Sequence, residues 1–206
     1  MSGSLVTIAK DVKLQIEFNP AEVAGYRLIG YENRMLATKD FADDTKDAGE
    51  IGAGHTVTAI YEIVTTSKAQ AATLGAVSVP LKYQKAAEKV EKPKKSVNPA
   101  VNLSDAASNG ELLTLALRYK KPDENVSKRI EFSIKNDEKS FSSASEDFQF
   151  AASVASFGML LRGSRYAGNA TFLSIQEIAS GCLGDDKSGY RSEFLDLVRK
   201  AAENCK

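Results

Sequence analysis

Residues Glu111–Lys135 read ELLTLALRYKKPDENVSKRIEFSIK, and this stretch decides the fold. Leu113, Leu115, Leu117 and Tyr119 fall at every second position, the period of a strand with one buried face. Ile130, Phe132 and Ile134 repeat that period, facing away from Arg129, Glu131 and Ser133. The link Lys121-Pro122-Asp123-Glu124-Asn125 is rich in turn formers, which suits an antiparallel hairpin.

Upstream, the same period recurs. Val12, Leu14, Ile16 and Phe18 alternate with Lys13, Gln15 and Glu17, and Asn19-Pro20 ends the run. Tyr26 to Asn33 is a second candidate strand, interrupted at Gly30. Val57, Ala59, Tyr61 and Ile63 form another. Val77, Val79, Leu81 and Tyr83 add one more, which Pro80 restricts to an edge or a bulge. One-face-buried antiparallel strands pack as a sandwich.

Downstream of the hairpin the period changes. Phe148, Ala151, Ala152, Ala155 and Met159 fall three or four apart, which predicts a helix from Ser143 to Arg162. Ser143 with Glu146 reads as a capping box, and Gly163 stands at the C-cap position. A second helix is expected from Thr171 to Cys182. A third is expected to start at a Ser188 cap and to carry Tyr190, Phe194, Leu197, Val198 and Ala201 on one face. The expected fold is therefore α+β. An antiparallel β-sandwich of about six or seven strands spans 5–140, with long loops at 36–54 and 84–110. A three-helix segment, 141–206, packs on it.

Composition narrows the function. Lys and Arg number 27 against 27 Asp and Glu. A balanced chain has no global attraction to nucleic acid or an anionic membrane. The 43% hydrophobic and 26% charged content is that of a globular protein. No apolar run reaches the roughly 18 residues of a transmembrane helix. Met1-Ser2-Gly3-Ser4 has neither a basic nor an apolar leader region, so no signal peptide is expected in this chain. The cysteines, Cys182 and Cys205, match no redox or zinc spacing, and a hairpin of the last two helices would keep them apart.

Few residues suggest chemistry. His55, the only histidine, lies among Gly52, Gly54 and Thr56 with no nucleophile elbow nearby, and a loop-packing role is expected. Asp40, Asp43, Asp44, Asp47 and Glu50 could offer oxygen ligands to Ca²⁺, although their spacing is not that of an EF-hand. The plainer expectation is a solvated acidic loop. The run Lys82–Lys95 holds six lysines but no arginine or aromatic interleaving, so it reads as a solvated linker. Gly49-Glu-Ile-Gly-Ala-Gly54 lacks the Gly-Lys-Ser/Thr ending of a phosphate loop and reads as turn glycines. Tyr26, Tyr31 and Tyr61 read as strand residues of a core or rim.

Several long stretches carry a resemblance. They are Thr7–Pro20 (TIAKDVKLQIEFNP), Tyr26–Arg34 (YRLIGYENR), Asp40–Glu62 (DFADDTKDAGEIGAGHTVTAIYE), Phe150–Arg162 (FAASVASFGMLLR), Gly168–Ala170 and Gly189–Val198 (GYRSEFLDLV). Together they resemble the C-terminal region of unknown function in bacterial von Willebrand factor type A domain-containing proteins. The resemblance implies a longer protein with an export or lipoprotein signal and an A domain bearing a metal-ion-dependent adhesion site. It thus implies a cell-envelope location, periplasmic or as an outer-membrane lipoprotein. The adhesion site needs Asp-x-Ser-x-Ser. Here Asp105-Ala-Ala-Ser108 has the wrong spacing, so the A domain's metal chemistry does not carry over to this chain.

The expected function is that of a non-catalytic accessory module for protein–protein interaction or scaffolding. No catalytic residues, metal or cofactor are expected. Its partners would be its own A domain and an unidentified envelope protein. The alternative is a calcium-dependent carbohydrate- or peptide-binding adhesin module using the acidic 40–50 loop.

Overall fold

The computed structural model describes residues 6–30, 40–66, 82–83 and 103–204. It divides into two units, Met1–Asn136 and Asp137–Lys206. The first is built of strands β1 (Thr7–Phe18), β2 (Val23–Ile29), β3 (Gly49–Gly52), β4 (Ile60–Thr65), β5 (Glu111–Lys120) and β6 (Lys128–Lys135). They form a four-stranded sheet in the order β3-β1-β5-β6 and a two-stranded sheet of β2 and β4. Every pairing is antiparallel. With three helices in the second unit, the chain is mixed α+β.

Register sets the two faces of the larger sheet. Leu14 lies beside Leu117 and Ile130, Ile16 beside Leu115 and Phe132, and Phe18 beside Leu113 and Ile134. Since side chains alternate along a strand, these nine share one face. Lys13, Glu17, Thr114, Ala116, Arg118, Glu131 and Ser133 take the other.

A bulge in β1 creates this alignment. Lys10 pairs with Lys120 and Lys13 with Arg118, so β1 holds one more residue than β5 across the interval. Asp11 absorbs it at φ +49°, a left-handed backbone that Asp tolerates better than most residues. Its carboxylate accepts a 2.6 Å bond from Lys120 Nζ, and that bond is the main reason its pKa lies below the usual value.

The second unit holds α1 (Glu146–Leu161), α2 (Phe172–Ser180) and α3 (Tyr190–Asn204). Phe194 of α3 meets Phe150 and Phe157 of α1 edge-on, each at 5.4 Å between ring centres, and Phe157 meets Phe172 of α2 at 6.0 Å. Ile175, Ala179, Cys182, Leu195 and Val198 are buried in this unit. Gly163, at φ +59°, closes α1. Its N–H donates to Leu160 and that of Ser164 to Met159, the paired bonds of a Schellman end.

Several expectations shift. Ser145, not Ser143, caps α1 by accepting from the Phe148 N–H. The Ser143 hydroxyl instead donates back to the Ser140 carbonyl within a short 3-10 turn. Thr171, expected as the first residue of the second helix, is its N-cap, in a reciprocal box with Ser174, and the helix ends at Ser180, before Cys182. At α3, Asp186 takes the role expected of Ser188, accepting from the N–H groups of Arg191 and Ser192. A carboxylate there also complements the positive end of the helix dipole. Gly49–Gly52 is a strand beside β1 rather than a turn, whereas Gly54 does occupy a turn at φ +75°. Val57 and Ala59 precede β4 without joining it, and β2 runs from Val23 only to Ile29. The strand expected at Val77–Tyr83 lies outside the described residues except at its end, as does Cys205.

Candidate functional site

The acidic stretch is held down by cations of the neighbouring strands. Lys13 is 3% exposed, and its ammonium donates to the backbone carbonyls of Asp40, at 3.3 Å, and of Asp43. The Asp43 carboxylate accepts from the Thr45 hydroxyl at 2.6 Å and the Thr45 N–H at 2.9 Å, which lowers its pKa. Asp44 pairs with Arg118 at 3.1 Å, and its carbonyl accepts from Lys120. Glu50 accepts a 3.4 Å bond from the Thr7 hydroxyl. The carboxylates therefore point to separate partners. Among the described residues no three His, Cys, Asp or Glu side chains converge on a point where a metal could sit.

A second polar cluster covers the middle of the same sheet face. The Glu17 carboxylate accepts the backbone N–H groups of Lys82 and Tyr83, each at 2.7 Å. Tyr83 is fully buried, with its hydroxyl 2.6 Å from Glu111 and 2.7 Å from the Thr114 hydroxyl. Lys82 Nζ reaches Glu111 at 2.5 Å and Ser133 at 2.7 Å. Lys82 and Tyr83 pull the Glu111 carboxyl down to about 2, while burial, then Glu111 itself, push the Tyr83 phenol up. A recess of about 30 Å³ remains beside Glu17, Lys82, Arg129 and Glu131. That is room for about one water, against several hundred Å³ for a typical small-molecule pocket. Nothing in the sequence marks this network, because its hydrogen-bonded pairs are 28 to 66 residues apart.

The opposite face is partly exposed among the described residues. Phe18 is buried where its ring stacks on Tyr26 at 4.2 Å and meets Tyr61 at 5.5 Å, contacts that join the small sheet to the large one. On the same face, Leu14 is 52% exposed, Ile130 38%, Phe132 52% and Ile134 45%. Thr114 and Ala116, on the polar face, are by contrast buried. Periodicity placed these apolar residues on one face, where Phe18 is buried, Ile16, Leu113, Leu115 and Leu117 are half-buried, and Leu14, Ile130, Phe132 and Ile134 are exposed.

The other candidates are quickly placed. His55 is exposed in the segment between β3 and β4. Tyr31 and the other lysines of the Lys82–Lys95 run lie outside the described residues. Cys182 is a buried free thiol whose carbonyl accepts from Arg191 at 2.6 Å, and the Arg191 guanidinium also pairs with Asp147 and lies over the Phe150 ring.

Comparison with known proteins gives a consistent match. Residues 3–203 match the family described as "Uncharacterized protein YfbK, C-terminal". The chain is 38% identical over 201 residues to "Uncharacterized protein YfbK" of Escherichia coli (strain K12), covering 98% of this chain and 31% of that protein. It thus spans about a third of the length of that relative. No solved structure matches the chain.

Proposed function

This chain belongs to the YfbK C-terminal family, and from that premise we propose that it is a non-catalytic docking module within a longer polypeptide. The rest of that polypeptide covers the open apolar face of the four-stranded sheet. One observation carries the reading: the sheet's polar face is closed over by Lys82, Tyr83 and the acidic loop, while Leu14, Ile130, Phe132 and Ile134 face solvent. Contiguous apolar surface of this kind marks an interaction site. Covering it is worth about 25 cal/mol for each Å² removed from water. The aromatic contacts of Phe18 support reading the two sheets as layers of a sandwich, incomplete until the partner seats.

The neighbour is proposed to be a von Willebrand factor type A domain, and the whole protein to reside in the bacterial cell envelope. The sequence resemblance over Thr7–Pro20, Asp40–Glu62 and Phe150–Arg162 supports both. To test the docking, this chain and the remaining polypeptide of a long family member are expressed separately and titrated by calorimetry. Binding is expected, weakened at least about tenfold by Phe132→Asp, as for an aromatic anchor at the centre of an interface. Absence of binding, or binding indifferent to Phe132→Asp, would remove the proposal.

A further inference from the structure

The outer edge of β6 has its own message, separate from the apolar face. Among the described residues, β6 ends the sheet and pairs only with β5. Every one of its residues is exposed. From Lys128 to Ile134 the pairing with β5 is regular, with no bulge or proline to turn the edge away from another strand. The charges of β6 are Lys128, Arg129 and Lys135 toward the ends and Glu131 in the middle. We propose that β6 pairs antiparallel with β6 of a second copy of this chain about a two-fold axis at Ile130, joining two four-stranded sheets into one.

Side-chain alternation leaves three central axes to choose from. Keeping the apolar residues on one face requires the axis to pass through a residue, so that even-numbered positions oppose even ones. An axis at Glu131 sets that carboxylate against Glu131 of the second copy. An axis at Phe132 sets Arg129 against Lys135 of the second copy, twice. An axis at Ile130 sets Arg129 against Glu131 of the second copy, twice, and Lys128 against Phe132, where an ammonium can lie on the aromatic face. Like charges directly opposite destabilise a strand pair and opposite charges stabilise it. Only the Ile130 axis avoids the first and gains the second. Arg129 and Glu131 already pair with each other inside one copy, which shows that both side chains occupy the same side of the strand.

The test uses the full chain with Cys205→Ser, leaving the buried Cys182 as the native thiol. Light scattering across a concentration series is expected to show a monomer–dimer equilibrium. Under mild oxidation, Ile130→Cys should form a disulfide-linked dimer far more readily than Glu131→Cys or Phe132→Cys. Arg129→Glu should raise the dimer dissociation constant on the order of tenfold, and Arg129→Glu with Glu131→Arg should restore it. Circular dichroism guards against misfolding, since both positions are about half exposed. A monomer at every concentration, preferential cross-linking at Phe132→Cys, or failure of the charge swap to rescue would each overturn the proposal. Loss of the dimer here leaves docking through the apolar face standing, because docking is measured between this chain and the remaining polypeptide and needs no strand pairing at the β6 edge, although Phe132 contributes to both.

Discussion

Asn19 shows how a single side chain joins distant segments. It is fully buried, its amide donates to the carbonyls of Ala107 at 2.9 Å and Glu111 at 2.7 Å, and its oxygen accepts from the Ala21 N–H. Asn19→Ala leaves buried carbonyls without donors, and urea unfolding should register a loss of about 2–3 kcal/mol. Glu111 supplies a pH signature. Its carboxyl stands at about 2 against an ordinary 4.5, so its contribution is present above about pH 4.5 and is lost as the pH falls toward 2. Glu111→Gln is expected to flatten the acid limb of the stability profile within that window; an unchanged limb would contradict the assignment. Lys13 makes a third case. Its ammonium already occupies the carbonyls of Asp40 and Asp43, so millimolar Ca²⁺ should leave the melting temperature of the chain unchanged, where a bound cation would raise it.

At the scale of elements, the bulge at Asp11 sets which residues of β1 face which side. Asp11→Ala puts a less tolerant residue at φ +49° and removes the bond to Lys120, for an expected cost of about 2 kcal/mol. Asp11→Gly keeps the backbone freedom and should cost visibly less, which thermal melts of the two variants compare directly. The helices and the longer strands were legible because each carries a sustained period. What escaped was local chemistry with several equivalent solutions. Ser143 and Ser145 both precede α1 and either could cap it, and Ser188 competes with Asp186 at α3. The short β3 carries two glycines in four residues, so it has no apolar pattern to read, and only its pairing with β1 makes it a strand.

For the whole molecule, alternation identifies two faces of a sheet without saying which one is covered. The apolar face was expected inward. The polar face is covered as well, because Tyr83, Glu111, Lys82 and Glu17 meet there through contacts that no local pattern encodes. The candidate surface was thus present in the sequence as Leu14, Ile130, Phe132 and Ile134, but its exposure emerges only from the assembled sheet.

Thiol labelling at Leu14→Cys, on β1 and away from the β6 edge, tests the docking role most directly. Its rate is compared between this chain alone and the full-length polypeptide, both carrying Cys205→Ser. Labelling is expected to be at least about tenfold slower in the full-length protein, since a side chain 52% exposed becomes covered. Equal rates in the two would mean that the apolar face stays in water, and the docking role would fall.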